Sequence, residues 1–216
     1  MAYDTNLLRM PDPYTTPAGP GFISVSLTDN NPGTIHELNT GATIAVKALG
    51  SYWTISVGLP ELFPEEARYI YPFLSSVSSG FENFYVQLPQ FKNPASGLWS
   101  TSNNTLIAKG AISIGPRADT IVIPNWSTRG GNYIAGDMIK FDNSHKIYQV
   151  VYESTVDNTK TIRLNSDILQ PALIPAAGFE PNDLKFRVRM TGALTPQITS
   201  KGVYDSVTIN LRENIL

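Results

Sequence analysis

The stretch PELFPEEARYIYPFLSSVSSG, Pro60 to Gly80, has a different period from the rest of the chain. Apolar side chains recur at Phe63, Ala67, Ile70, Leu74 and Val77, in steps of four, three, four and three. That spacing stacks them along one face of a helix. Pro64 suits the first helical position, where a missing N–H costs nothing, and Glu65 and Glu66 stand where the macrodipole favours negative charge. Gly80 is a C-terminal stop. The pattern predicts a helix over 64–78. Pro72 lies about 140° around it from Ala67, off the apolar face, and is expected to kink the outer side or shorten the helix.

Outward from the helix the period becomes two. Upstream, YWTISVGLP places Trp53, Ile55, Val57 and Leu59 on one face of a half-buried strand; downstream, FENFYVQLP aligns Phe84, Val86 and Leu88. FISVSLTDNN alternates through Ile23, Val25 and Leu27, and DNNPG (Asp29 to Gly33) is turn chemistry. Residues 1–21, with PDPYTTPAGPG, are Pro-rich and weakly periodic, so an extended N-terminal arm is expected, one that orders on a neighbour rather than on a local core.

Past Lys92 the composition shifts to Asn, Ser, Gly and Pro (KNPASGLWSTSNN), which marks a boundary or long loop. A second β-rich block follows in TLIAKGAISIG, TIVIP, GDMIKF, KIYQVVYEST and KTIRL, with hairpins turning at DNSH and at Asp157-Asn158. LKFRVRM and YDSVTINLREN close the chain, the latter alternating through Val207, Ile209 and Leu211. If these closing strands return to the first sheet, the middle block is an insertion. The expected fold is mainly β: a β-sandwich or split barrel with one flanking helix, plus an inserted smaller β domain. The core is expected over 22–98 and 185–216, and the inserted domain over 99–184.

Composition narrows the chemistry. A chain of 216 residues buries enough surface to fold without metal or disulfide, and with no cysteine it has neither thiol catalysis nor cysteine-built zinc sites. Charged residues are 16% of the chain against about a quarter ordinarily, and the net charge is −2. Basic residues are scattered along the sequence, so no electrostatic grip on nucleic acid or on an acidic membrane is expected. No signal peptide or membrane-length apolar run is visible, a soluble protein is expected, and the sequons at Asn103 and Asn125 carry little weight.

His145 lies near Asp137 and Asp142 in GDMIKFDNSH, a grouping that could suggest a metal or acid–base cluster. Their positions at a hairpin tip and a glycine turn favour solvated turn residues instead. His36-Glu37 follows a turn with no partner motif, Glu65-Glu66 is explained by the helix start, and GGNYIAGD lacks the lysine of a phosphate loop. Tyr3, Tyr14, Trp99, Trp126, Tyr133 and Tyr204 adjoin loop-like sequence; burial in core or interface is their commoner use, and stacking on sugars the alternative. No catalytic, cofactor-binding or metal-binding residue is expected, and no enzyme.

The order of parts carries a resemblance. YWTISVGLP leads into the helix, then FENFYVQLP; GDMIKFDNSHKIYQVVYE follows later, and VTINLRENI ends the chain. This resembles tail and baseplate proteins of tailed bacteriophages, particularly the distal-tail type whose core is similar to tail-tube subunits. The resemblance implies a β core with one flanking helix that builds a ring, sixfold, continuing the tail channel, with other tail proteins as partners. DNA would only pass through the lumen. It also implies a place in the virion tail after synthesis in the bacterial host cytoplasm. In that setting the amphipathic helix covers one face of a sheet whose other face is shared around the ring. The competing reading is a carbohydrate- or receptor-binding β-module of a virion, with aromatics near Trp99 and Trp126 stacking on sugar rings.

Overall fold

The computed structural model describes residues 7–95 apart from 14, 16, 17, 38, 48, 49 and 79, and then 113–114, 118–125, 133–141, 144–169, 179–180, 183–200 and 202–215. The strand YWTISVGL is β5 (Tyr52–Leu59), and Trp53, Ile55, Val57 and Leu59 are all buried, as the alternation requires. It lies inside a six-stranded mixed sheet. In spatial order the strands are β1 (Leu8–Arg9), β6 (Phe84–Val86), β13 (Phe186–Met190), β14 (Val207–Glu213), β5 and β2 (Ser24–Asn30). Only β1 with β6 is parallel. β14 sits between β13 and β5, with Ile209 opposite Val57 and Leu211 opposite Ile55.

One face of this sheet is apolar. Phe84 and Val86, Phe186, Val188 and Met190, and Ile209 and Leu211 join the β5 row in a single core. The helix α1 (Pro64–Val77) closes that core with Ala67, Ile70, Leu74 and Val77, all buried. Phe73 adds an edge-on contact to Phe84 at 5.2 Å between ring centroids. Gly80 takes a φ of +70°, and its N–H donates to Val77 O at 3.2 Å, which ends the helix. A β-carbon there would stand 3.1 Å from Met190 O, so glycine answers both constraints.

Two details of the helix differ from the expectation. Phe63 is 65% exposed and lies outside the apolar face. Its backbone is extended (φ −68°, ψ 154°), so it precedes the helix and does not share its phase. Its N–H donates to Glu66 Oε2 at 3.2 Å, one half of a capping box. Pro72 does not shorten the helix, which runs on to Val77. Pro72 is on the exposed side, away from the core.

The second sheet runs in the order β12 (Phe179–Glu180), β9 (Met138–Phe141), β10 (Ile147–Val156), β11 (Thr159–Leu164), β8 (Thr120–Ile123) and β7 (Ser113–Ile114). Its four longer strands curl into a half-barrel. The pairing of β10 with β11 slips between Val150 and Tyr152, a bulge that sharpens the bend. Asp157 and Asn158, with φ of 47° and 60°, make the tight turn between them. A separate core of Ile121, Ile123, Tyr133, Ile139, Phe141, Tyr148, Val150, Ile162, Leu164 and Ile168 fills the curl. Met138 and Ile147 belong instead to the first core. A two-stranded ribbon, β3 (Gly33–Glu37) with β4 (Thr43–Lys47), stands between β2 and β5 in the sequence, and every residue of β3 is exposed.

The N-terminal segment departs from the reading as an arm that needs a neighbour. β1 pairs with β6, Met10 N–H donates to Tyr85 O at 2.8 Å, and the Met10 side chain is fully buried in the first core. Arg9 reaches both Asp12 Oδ2 and Gln87 Oε1 at 2.8 Å, and Asp12 is itself buried. Residues 8–10 thus have partners within their own chain, supplied by a strand 76 positions away (Leu8 opposite Phe84) that no local periodicity reveals.

Candidate functional site

The polar residues singled out in the sequence do not converge. His36 and Glu37 lie on the exposed β3, and His145 is half-buried in the connection between β9 and β10. Asp142, Tyr3, Tyr14, Trp99 and Trp126 lie outside the described residues. Among the described residues no group of three or more His, Cys, Asp or Glu is placed to hold a metal ion. Tyr133 is buried in the second core, and Tyr204 stacks on Tyr71 at 4.7 Å between centroids. Glu65 and Glu66 occupy the first turn of α1.

Asp137 requires a correction, because it is buried and not a solvated turn residue. Its carboxylate accepts Ala95 N–H at 2.8 Å and Ile134 N–H at 3.0 Å. The glycine turn before it, with Gly136 at φ +101°, folds the carboxylate inward to satisfy two backbone donors. Asp137 therefore fastens the segment leaving the first sheet to the entry of the second.

The most highly constructed polar site lies where the sheets meet. Glu213 ends β14, and the alternation through Ile209 and Leu211 puts its side chain on the apolar face. Its Oε1 accepts Ile147 N–H at 2.8 Å, and its Oε2 accepts both Trp53 N–H and Lys146 Nζ at 3.1 Å. Trp53 Nε1 donates to Ile147 O at 2.8 Å. The side chains of Lys146 and Glu213 are both 0% exposed. Lys146 Nζ also lies 5.7 Å from the ring centroids of Trp53 and Tyr148. Burial pushes the Glu213 carboxyl above its ordinary range, while Lys146 and the two backbone donors pull it down. Burial likewise pushes the Tyr148 hydroxyl upward.

The second feature is a surface. The face of the first sheet turned away from α1 carries Ser24, Ser26 and Thr28 on β2, Thr54 and Ser56 on β5, and Thr208 and Asn210 on β14. Ser56 Oγ and Asn210 Oδ1 are 3.0 Å apart, a bond across the strands. Basic residues scattered in sequence come together at one side of this face. Arg189 stands opposite Arg212, with Arg187 two positions along, and Arg212 stacks on the Tyr52 ring at 3.9 Å. Strand pairing, which sequence position does not report, brings them together.

The sheet ends at β2, beyond which no strand pairs among the described residues. From β2 and β5 the β3–β4 ribbon continues with Ile35 at 74% and Ile44 at 48% exposure. Among the described residues no helix is long and apolar enough to cross a membrane.

Residues 10–91 match the family model for the N-terminal part of the A domain of distal tail protein pb9. Over 215 residues the chain is 29% identical to distal tail protein pb9 of Escherichia phage T5, a match covering 96% of this chain and 100% of the relative.

Proposed function

We propose that this chain, a structural protein of a phage tail of the distal-tail type, works by assembly, as one subunit of a closed ring continuing the tail tube. The observation that carries this reading is the division of the first sheet. One face is sealed by α1, whereas the other is hydroxyl- and amide-rich and runs to the open edge at β2 with its protruding ribbon. An open edge calls for a neighbour, and head-to-tail contacts between identical subunits either close or grow into a filament. The resemblance implies sixfold closure.

In this arrangement the uncovered face lines the channel. Ser, Thr and Asn side chains let DNA pass without strong attraction, and Arg187, Arg189 and Arg212 confine positive charge to one side of it. The proposed division is a ring-building core over 22–98 and 185–216, on whose edge β1 pairs, and an inserted domain over 99–184 that presents attachment surface to other tail components. The protein is placed in the virion tail, after synthesis in the host cytoplasm. Electron microscopy of the purified protein and of the particle tests the proposal. Closed rings at the tail tip are expected; a protein strictly monomeric in its particle would overturn it.

A further inference from the structure

We infer that Glu213 and Lys146 form a lock that fixes the second sheet on the first, so that the two sheets act as one rigid body. This inference does not depend on the ring.

The start of β10 is the place to see it. β10 pairs with β9 from Ile147, but with β11 only from Val150 onward, so among the described residues no strand pairs with the other edge of its first residues. The first sheet supplies the missing partners. Ile147 N–H goes to Glu213 Oε1 and Ile147 O receives Trp53 Nε1–H, both at 2.8 Å. Two residues on, Gln149 exchanges bonds with Asn165: Gln149 N–H to Asn165 Oδ1 and Asn165 N–H to Gln149 O, each at 2.9 Å. Asn165 Nδ2 then donates to Asp29 Oδ2 at 2.8 Å. Asp29 stands directly opposite Trp53 in the β2–β5 pairing. The contacts therefore fall along one transverse row of the first sheet, Asp29–Trp53–Glu213, with two separate ties to β10.

The chemistry makes this row directional. A buried ion pair adds little net stability compared with apolar residues of the same volume, but breaking it strands a charge in the interior. Hydrophobic contact at Met138 and Ile147 would tolerate sliding of one sheet over the other. The carboxylate does not, because both its oxygens are committed and Lys146 is enclosed between two aromatic rings. Any rotation of the second sheet would leave a carboxylate, an ammonium and two backbone groups without partners at once. Glu213 is thus a positioning residue. Through it, surfaces of the second sheet hold a fixed direction relative to the first.

Residue-resolved hydrogen exchange on the full chain tests this. Glu213→Gln keeps the side-chain shape but turns an amide nitrogen toward donors that a carboxylate accepted. The Trp53 and Ile147 amides should then exchange at least tenfold faster, while Ile55 and Ile162, in the two cores, stay within twofold. No change at Trp53 and Ile147, or an equal change at all four, would overturn the lock. Should Glu213→Gln not fold, the double variant Lys146→Met with Glu213→Leu decides. It should retain both cores but unfold in two thermal transitions where one is expected of the parent, with a broadened X-ray scattering profile. A single transition and the parent's profile would refute the inference.

Discussion

Truncating Leu74 isolates what α1 contributes. Leu74 is fully buried in the first core, on the same helical face as Ala67, Ile70 and Val77. Leu74→Ala removes three carbons from a site walled by a helix and a sheet, neither of which can collapse far into the gap. Such substitutions cost about 3–4 kcal/mol, lost transfer energy plus cavity. For a chain of this length each kcal/mol lowers the melting temperature by about 2–4 °C, so a drop of roughly 6–16 °C is expected. Arg68→Ala, on the exposed side of the same helix, should stay within about 0.5 kcal/mol. Circular dichroism melts of both variants, with urea titrations as a second measure, make the comparison. Equal losses for the two variants, or a loss below about 1 kcal/mol for Leu74→Ala, would show that the helix is not the seal of the core.

Glu213 has a definite pH signature. Its carboxyl is raised above the ordinary 4.5 by burial, so between that value and the native-state pKa the folded chain holds a proton that the unfolded chain has lost. Stability should fall as pH rises through that interval, relative to Glu213→Gln, which cannot titrate. Lys146 and Tyr148 face the same carboxyl, and the raised Tyr148 hydroxyl does not titrate there. Urea midpoints of both proteins from pH 4 to 7 give the sign; an opposite trend would mean that Lys146 outweighs burial. At the other end of the chain, deleting residues 1–12 should destabilise the isolated subunit by several kcal/mol, because it removes the buried Met10 and uncovers the edge of β6. An unchanged melting temperature would return the segment to the role of an arm.

Much of the architecture was legible where one residue's environment follows from its neighbours in sequence. Trp53 to Leu59 alternate because one face of β5 is covered, and Ala67 to Val77 keep helical phase for the same reason. Legibility failed where the environment is set by a distant strand. Met10 directly follows a two-residue strand too short for any period, and Arg189 meets Arg212 only through register. Phe63 matched the spacing but stands one residue ahead of the helix that would give the spacing meaning. The junction left one readable trace. Val207, Ile209 and Leu211 point to one face, and the next position on it is Glu213, a charge where the pattern asks for an apolar residue. A carboxylate in that phase implies a buried partner. Lys146, in the short connection before β10, has no comparable signal, because a lysine beside a turn is ordinarily solvated.

The return of the chain to its point of departure bears on how the molecule folds. It leaves the first sheet after Lys92 and comes back at Leu184, whose N–H donates to Lys92 O at 3.4 Å. Before that contact forms, bringing β14 to β5 means closing a loop of about 150 residues, which is entropically costly and slow. At the centre of the intervening sheet β9, β10 and β11 pair as successive hairpins, β10 and β11 through Asp157-Asn158, and its longest closures, β8 on β11 and β12 on β9, span only about 40 residues. Once that sheet has formed, it draws the two ends of the excursion together and shortens the search left to β6, β13 and β14. Local pairing comes first and the long-range sheet last. In refolding, pulse-labelled exchange should find the Ile162 amide protected before that of Ile209; simultaneous or reversed protection would mean that the long loop closes without this help.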